Sequence, residues 1–218
     1  MTAAKTAKTT KRGTIDQRAV IDAALRVARR VGLNRLTMRM VADELGVSAM
    51  AAYRHVPNRE HLVSLVADEL TASVEVPDPA SGPWDQRLRE LQLSAFRANT
   101  TVAGSMDAAD MEVLLRGTHS RRLVRGMMAI LADAGFDEDD AALAFEVIWA
   151  YFVGQLSSYE VVVELRHKHP EFADDLWPVL GAAGQGVPLS PEEYFERGFE
   201  ILLDGLRARL ARKAETRG

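Results

Sequence analysis

The segment MRMVADELGVSAMAAYRHV, residues 38–56, constrains the fold more than any other stretch. Val41, Leu45, Val47 and Val56 recur at spacings that bury them between two crossing helices, and Ala42 stands where a larger side chain would hold those helices apart. Gly46, four residues on, supplies the backbone freedom for a tight turn. Thr37 caps a short helix that ends at Leu45, and Ser48 caps another that ends near His55. Together they have the helix-turn-helix arrangement, although an ordinary helical hairpin fits the spacing as well. Pro57 forces a break, after which Asn58 caps a fourth helix with Leu62, Leu65, Val66 and Leu70 on one face. Upstream, Thr14 and Gln17 fit a capping box for a first helix over 15–31, with Ile21, Ala24, Leu25, Ala28 and Val31 as its apolar stripe and Gly32 as its stop.

Charge separates the two readings. Residues 1–60 hold 12 Lys+Arg against 5 Asp+Glu, seven positive, whereas the remainder of the 27 basic and 31 acidic residues, 15 against 26, is eleven negative. A polyanion is drawn to one end of such a chain and repelled by the other, a pattern that a plain solvated basic face shares only in part. A helix entering a major groove about 12 Å wide must bring its backbone close to the base edges. Ser48, Ala49, Met50 and Ala51 are small or flexible enough to permit this. The last three have no hydrogen-bonding side chain, so their contacts would be apolar, with thymine methyl groups. Hydrogen-bonded readout falls mainly to Arg39, which can fork onto guanine, while Tyr53, Arg54, His55 and Arg59 cluster where phosphate contacts fix register. The plainer alternatives are a Tyr53 packed on the core and Ala49 and Ala51 as exposed filler. Residues 1–12 read as a flexible basic arm whose Lys5, Lys8, Lys11 and Arg12 follow the backbone or enter a minor groove.

Nearly every later segment also has helical periodicity. VEVPDPASGP, residues 74–83, is a linker or a sharp corner. Helices are expected over 84–99, 106–115 and 119–134, then one helix of about 30 residues that begins at the acids Asp137, Glu138, Asp139 and Asp140 and ends at Arg166, His167, Lys168 and His169 before Pro170. Ser190, Pro191 and Glu193 give the cap, first-turn proline and capping-box partner of a last helix, with Phe195, Phe199, Leu202, Leu206 and Leu210 as its stripe. The last two helices have more apolar surface than one subunit covers, so they imply pairing with a twofold mate. The chain is thus expected to be all-α: a flexible arm (1–12), a basic DNA-binding helix-turn-helix domain of three to four helices (13–73), a linker (74–83) and a helical ligand-binding and dimerisation domain (84–218). There is no cysteine, which excludes disulfides, thiolate zinc sites and cysteine nucleophiles. The longest apolar stretch, residues 141–154, is interrupted by Glu146 and is too short for a bilayer core of about 30 Å. With no signal-peptide pattern in MTAAKTAKTTKRG, the expected location is cytoplasmic. No phosphate loop, zinc helix or nucleophile elbow is found, so no catalytic residue, cofactor or metal is expected; basic residues at a helix end account for His167 and His169 better than a metal site with Glu171 does.

LTMRMVADELGVSAMAAYRHVPNREHLVSLVADEL, residues 36–70, closely resembles the DNA-binding segment of the tetracycline-repressor (TetR) family: the Leu-Thr-x-Arg start, the Gly-Val turn, the Tyr-x-His end and Asn58-Arg59 opening the fourth helix. The resemblance implies an all-helical homodimer that binds palindromic operators and releases them when a small molecule enters the carboxy-terminal domain. Carried over by position, the family's DNA contacts fall on Arg39, Ser48, Ala49, Met50, Ala51, Tyr53, Arg54, His55 and Arg59. Family members often have polar residues where this chain has Ala49 and Met50, which leaves the operator sequence open. RGTH (116–119), AGF (134–136) and FVG (152–154) resemble a tetracycline-repressor-type carboxy-terminal domain more weakly. That domain's metal-associated histidine falls on Leu115, which cannot ligate magnesium, so a metal-chelated tetracycline is disfavoured. Leu91, Leu115, Met127, Leu131, Phe145 and Trp149 fall on positions facing the family's cavity, with His119 as one polar contact, although each singly also fits core packing. The expected function is a ligand-responsive DNA-binding regulator, most simply a repressor; the alternative is a helical small-molecule-binding protein or enzyme that binds no operator.

Overall fold

The computed structural model describes residues 15–102, 116–169, 171 and 190–217. These residues form eight α-helices and one 3₁₀ turn, with no strand among them. Residues 1–14, which include the expected arm (1–12), lie outside the described residues, as do the expected helix over 106–115 and Leu115.

Four helices build the amino-terminal domain: α1 (Gln17–Val31), α2 (Met38–Leu45), α3 (Ala49–Tyr53) and α4 (Arg59–Leu70). The cap of α1 is Asp16, whose Oδ1 accepts from Ala19 N at 2.8 Å, rather than the expected capping box on Thr14. The buried face of α1 is also broader than the expected stripe, taking in Val20, Ala23 and Val27 while Leu25 and Val31 are only half-buried. The reason is that α2 and α4 pack against α1 from two sides. Thr37, Ser48 and Asn58 cap α2, α3 and α4 as their sequence positions imply. Gly46 takes φ 68°, the left-handed region that other side chains adopt only with strain, and its N–H reaches back to the Ala42 and Asp43 carbonyls. Helix α3 stops at Tyr53, two residues short of expectation. Pro57 disfavours helical backbone at Val56, so the chain leaves through a turn in which His55 N and Val56 N both bond to Ala52 O.

The segment 74–83, expected as a linker or a sharp corner, is partly packed. Val74 is 2% exposed, Val76 packs against Gly126, and Pro79–Ser81 is a 3₁₀ turn. The second domain follows as α5 (Trp84–Thr100), α6 (Thr118–Asp133), α7 (Glu138–Lys168) and α8 (Pro191–Arg217). Helix α5 is its axis, packed by α4, α6, α7 and α8. Leu88, Leu91, Ile130, Leu131, Ile148 and Leu203 are at most 2% exposed, and Phe96 stacks on Phe195 with ring centroids 4.2 Å apart. The capping box of α8 is reciprocal: Ser190 N donates to Glu193 Oε2 (2.8 Å) and Glu193 N to Ser190 Oγ (3.2 Å). Its buried row is Phe195, Phe199 and Leu203, with Leu202, Leu206 and Leu210 half-buried beside it. Two acids at the start of α7 do more than match a helix dipole. Lys213 of α8 holds both Asp137 and Asp140, and Arg209 closes on Asp140 at 2.5 Å. Hydrogen bonds from Lys213, and from Arg209 for Asp140, keep both carboxyls below the usual aspartate range.

Candidate DNA-reading face and effector cavity

Burial of Ala52 and Val56 orients α3, leaving its thin side outward. Met50 is 74% and Tyr53 44% exposed, Ser48 is exposed, and Ala49 and Ala51 are half-buried between them. Tyr53 lies outside the amino-terminal core cluster, so the packed alternative for its ring does not hold. Ser48 Oγ accepts from Ala51 N at 3.3 Å, which fixes the hydroxyl at the first turn. Arg39, near the start of α2, and Arg54, at the end of α3, are exposed, and no described carboxylate pairs with either. Other arginines of this domain are occupied: Arg26 and Arg30 close on Glu44 at 2.9 and 2.7 Å, and Arg18 bridges Asp22 and Glu69 at 3.0 and 2.8 Å. Arg39 and Arg54 thus leave free charge on the α2–α3 side, and among the described residues Arg29 at the end of α1 and Arg35 in the α1–α2 loop are likewise exposed without a partner. His55 is half-buried, and its carbonyl accepts from Gln17 Nε2 at 3.4 Å. Arg59, expected at a phosphate, is exposed and also hydrogen-bonded within the protein. Its Nε donates to Leu36 O (2.8 Å) and its Nη2 to Leu33 O (3.1 Å) and Asn34 O (2.9 Å), clamping the α1–α2 loop onto α4. Lys11 and Arg12 lie outside the described residues.

A cavity opens between α4, α5, α6 and α7, with about 620 Å³ of open space, its mouth included. Of the expected set, Leu91, Met127, Phe145 and Trp149 line it. Leu131, 0% exposed, is packed in the core cluster and is absent from the cavity lining. His119 is also absent from the lining, and its backbone N–H bonds to Asp68 Oδ2 at 3.3 Å. Four polar residues that the sequence reading passed over do line it: Thr71, Gln92, Asn99 and Ser120. Two of them carried a signal. Arg87, Leu88, Leu91, Gln92, Ala95, Phe96 and Asn99 form the buried face of α5, on which Gln92 and Asn99 are the uncharged polar residues.

Residues 20–66 match the family described as bacterial regulatory proteins, tetR family, and residues 76–210 match the tetracyclin repressor-like carboxy-terminal domain. The chain belongs to the tetR family. It is a ligand-responsive, DNA-binding transcriptional regulator. Among relatives, it is 27% identical over 201 residues to the tetracycline repressor protein class D of Escherichia coli, covering 90% of this chain and 91% of that one. It is 25% identical over 211 residues to the HTH-type transcriptional repressor DrrR1 of Streptomyces coeruleorubidus, covering 89% and 78%. The solved structure of ActR from Streptomyces coelicolor in complex with actinorhodin is similar at TM-score 0.69 and 25% identity, over 91% of this chain and 99% of that chain.

In this tetR-family chain the cavity and the reading domain meet at one buried carboxylate. Asp68, 9% exposed in the last turn of α4, accepts from Thr118 N (2.9 Å), His119 N (3.3 Å), Ser120 N (2.8 Å) and Ser120 Oγ (2.8 Å). It thereby caps α6, which has no capping side chain of its own, from fifty residues upstream. Arg122 of α6 donates back to the Thr71, Ala72 and Val74 carbonyls, the last at 2.5 Å. Ala67, Thr71 and Ser120, which flank these bonds, are cavity wall.

Proposed function

We propose that the protein is a homodimeric repressor that grips a palindromic operator with two copies of α3 and is released when a small molecule occupies the α5–α6–α7 cavity. The observation that carries this reading is α4 itself. Its first residue clamps the loop beneath the reading helices, and its last turn both walls the cavity and caps α6 through Asp68. A ligand that favours one setting of Ser120 and Thr71 therefore favours one setting of α4, and with it one spacing of the two reading helices. Half-sites about 34–36 Å apart are needed for both to engage. Base-edge contact is given to Arg39 and to the outer side of α3, Ser48, Ala49, Met50 and Ala51; Tyr53, Arg54 and His55 serve the phosphates. Arg59 supports these residues from below. Residues 1–12, 13–73, 74–83 and 84–218 act as arm, reading domain, corner and effector domain. Leu115, with no donor atom, argues against a metal-chelated effector.

The second copy docks on α7 and α8. Leu143, Val147 and Ile201 are 46%, 44% and 74% exposed along one groove between these helices, an apolar face that a twofold mate would cover. The reading assigns no catalysis, in keeping with a family of transcriptional regulators, and operator binding makes the cytoplasm its working compartment. Among the described residues, no helix is long and apolar enough to cross a membrane. The experiment is a mobility-shift titration on the DNA flanking its own gene, with and without candidate effectors. A dimer that shifts one palindrome and is released by a cavity ligand meets the reading; a monomer indifferent to every duplex at low salt ends it.

A further inference from the structure

Asn99 is 1% exposed, lines the cavity, and its Oδ1 has no hydrogen-bond partner among the described residues. A buried acceptor left unmet is uncommon in folded proteins and calls for a reason. The orientation of the amide is fixed by chemistry. Nδ2 donates to Ala95 O at 2.9 Å, and flipping the group would set two oxygens against each other. Of the other polar side chains of the wall, Thr71 and Ser120 are engaged through their hydroxyls and Gln92 through one N–H of its amide. Thr71 Oγ1 donates to Asp68 O (2.8 Å), Ser120 Oγ to Asp68 Oδ1 (2.8 Å) and Gln92 Nε2 to Met127 Sδ (3.1 Å). No lining residue is charged, so a charged ligand would leave water with nothing to balance it. The opposite wall is flat and aromatic, with Trp149 and Phe152 stacked at 6.1 Å and 15° and Phe145 beside them.

Resting on the cavity reading above, we infer that the effector is an uncharged, planar, largely apolar molecule that donates a hydrogen bond, from a hydroxyl or N–H group, to Asn99 Oδ1. The aromatic wall takes the ring face and the amide oxygen selects the donor. A site built around a buried acceptor rejects a ligand of the same shape that lacks the donor, because the acceptor is then sealed from water and unpaired.

The test is calorimetric titration of the intact dimer with two matched pairs, β-naphthol against its methyl ether and para-phenylphenol against its methyl ether, and with β-naphthoate as the charged probe. Each phenol should bind about 3- to 10-fold more tightly than its ether, the range of one net hydrogen bond. Naphthoate should bind worse than either. In Asn99→Leu the phenol preference should vanish while the ethers bind as well as before or better; Asn99→Ala removes the same oxygen if the leucine variant fails to fold. Equal binding of phenols and ethers to the wild type, a phenol preference that survives the substitutions, or tighter binding of naphthoate each overturns the inference and leaves the cavity reading standing. If no probe binds at all, the cavity reading falls together with it.

Discussion

Arg39 and Arg59 bear the same charge in the same domain and have opposite surroundings. Arg39 has no described partner, so its fork is free for a base edge; Arg59 already has three backbone carbonyls in its grip. Arg39→Ala should cost roughly 1–3 kcal/mol on the preferred operator and relax choice at one base pair, read by mobility shift against single-base operator variants. Equal weakening on all sequences would mark a phosphate contact instead. Arg59→Ala should lower folding stability by about 1–3 kcal/mol in denaturant melts and leave the salt slope of DNA binding unchanged; a slope reduced by about one would restore the phosphate role. The chain's letters assigned both arginines to DNA and did not show how Arg59 is fastened, for one reason. Sequence marks side-chain partners, whereas the acceptors of Arg59 are carbonyls of residues 33, 34 and 36, identical at every position until the loop is folded. Asn99 was readable in principle, as a polar letter on an apolar stripe, and Asp68 was not, since nothing local distinguishes it from Glu69, which pairs at the surface.

Helices were legible because their ends are written locally: Thr37, Ser48, Asn58 and the Ser190–Glu193 box each sit within three residues of the N–H they cap. The start of α6 escaped that logic, being capped from another helix through Asp68. Asp68→Asn replaces one acceptor oxygen with an amide that faces N–H donors, so α6 should fray at its first turn. The expected loss is about 1–3 kcal/mol of stability. More telling, the variant should bind a cavity ligand with nearly wild-type affinity by calorimetry while the ligand loses most of its power to lift the protein from operator DNA. Undiminished release would show that the signal travels another way. The contrast with α3 is instructive: a five-residue helix with one cap is held in place by Val56, whose burial the apolar spacing gave, and by Ala52, whose burial it did not.

At the scale of the molecule, the groove between α7 and α8 is the proposed seat of the second copy. Ile201→Glu puts a charge at the most exposed apolar position of that groove, and sedimentation should report a monomer that no longer retains a palindromic duplex. Acid should loosen both domains from their fastenings. The Glu44 carboxyl is held below its usual range by hydrogen bonds from Arg26 and then Arg30, and Asp137 and Asp140 are held down chiefly by Lys213. Carboxyls lowered in the folded state stabilise fully above their ordinary range, near pH 4, and lose that contribution as pH falls through the folded values. Thermal melts should therefore be insensitive to these groups at neutral pH and decline below about pH 4, and Asp140→Asn should flatten that decline; an unchanged profile would mean the pairs carry no weight. The carboxylate that joins α4 to α6 also says where this molecule can be cut and rejoined. A chimera divided at residues 74–83 would graft a foreign sensor onto a helix whose terminal turn expects the Ser120 amide, and would inherit the address without the trigger. An exchange that moves Asp68 together with its recipient helix is the one that should stay inducible.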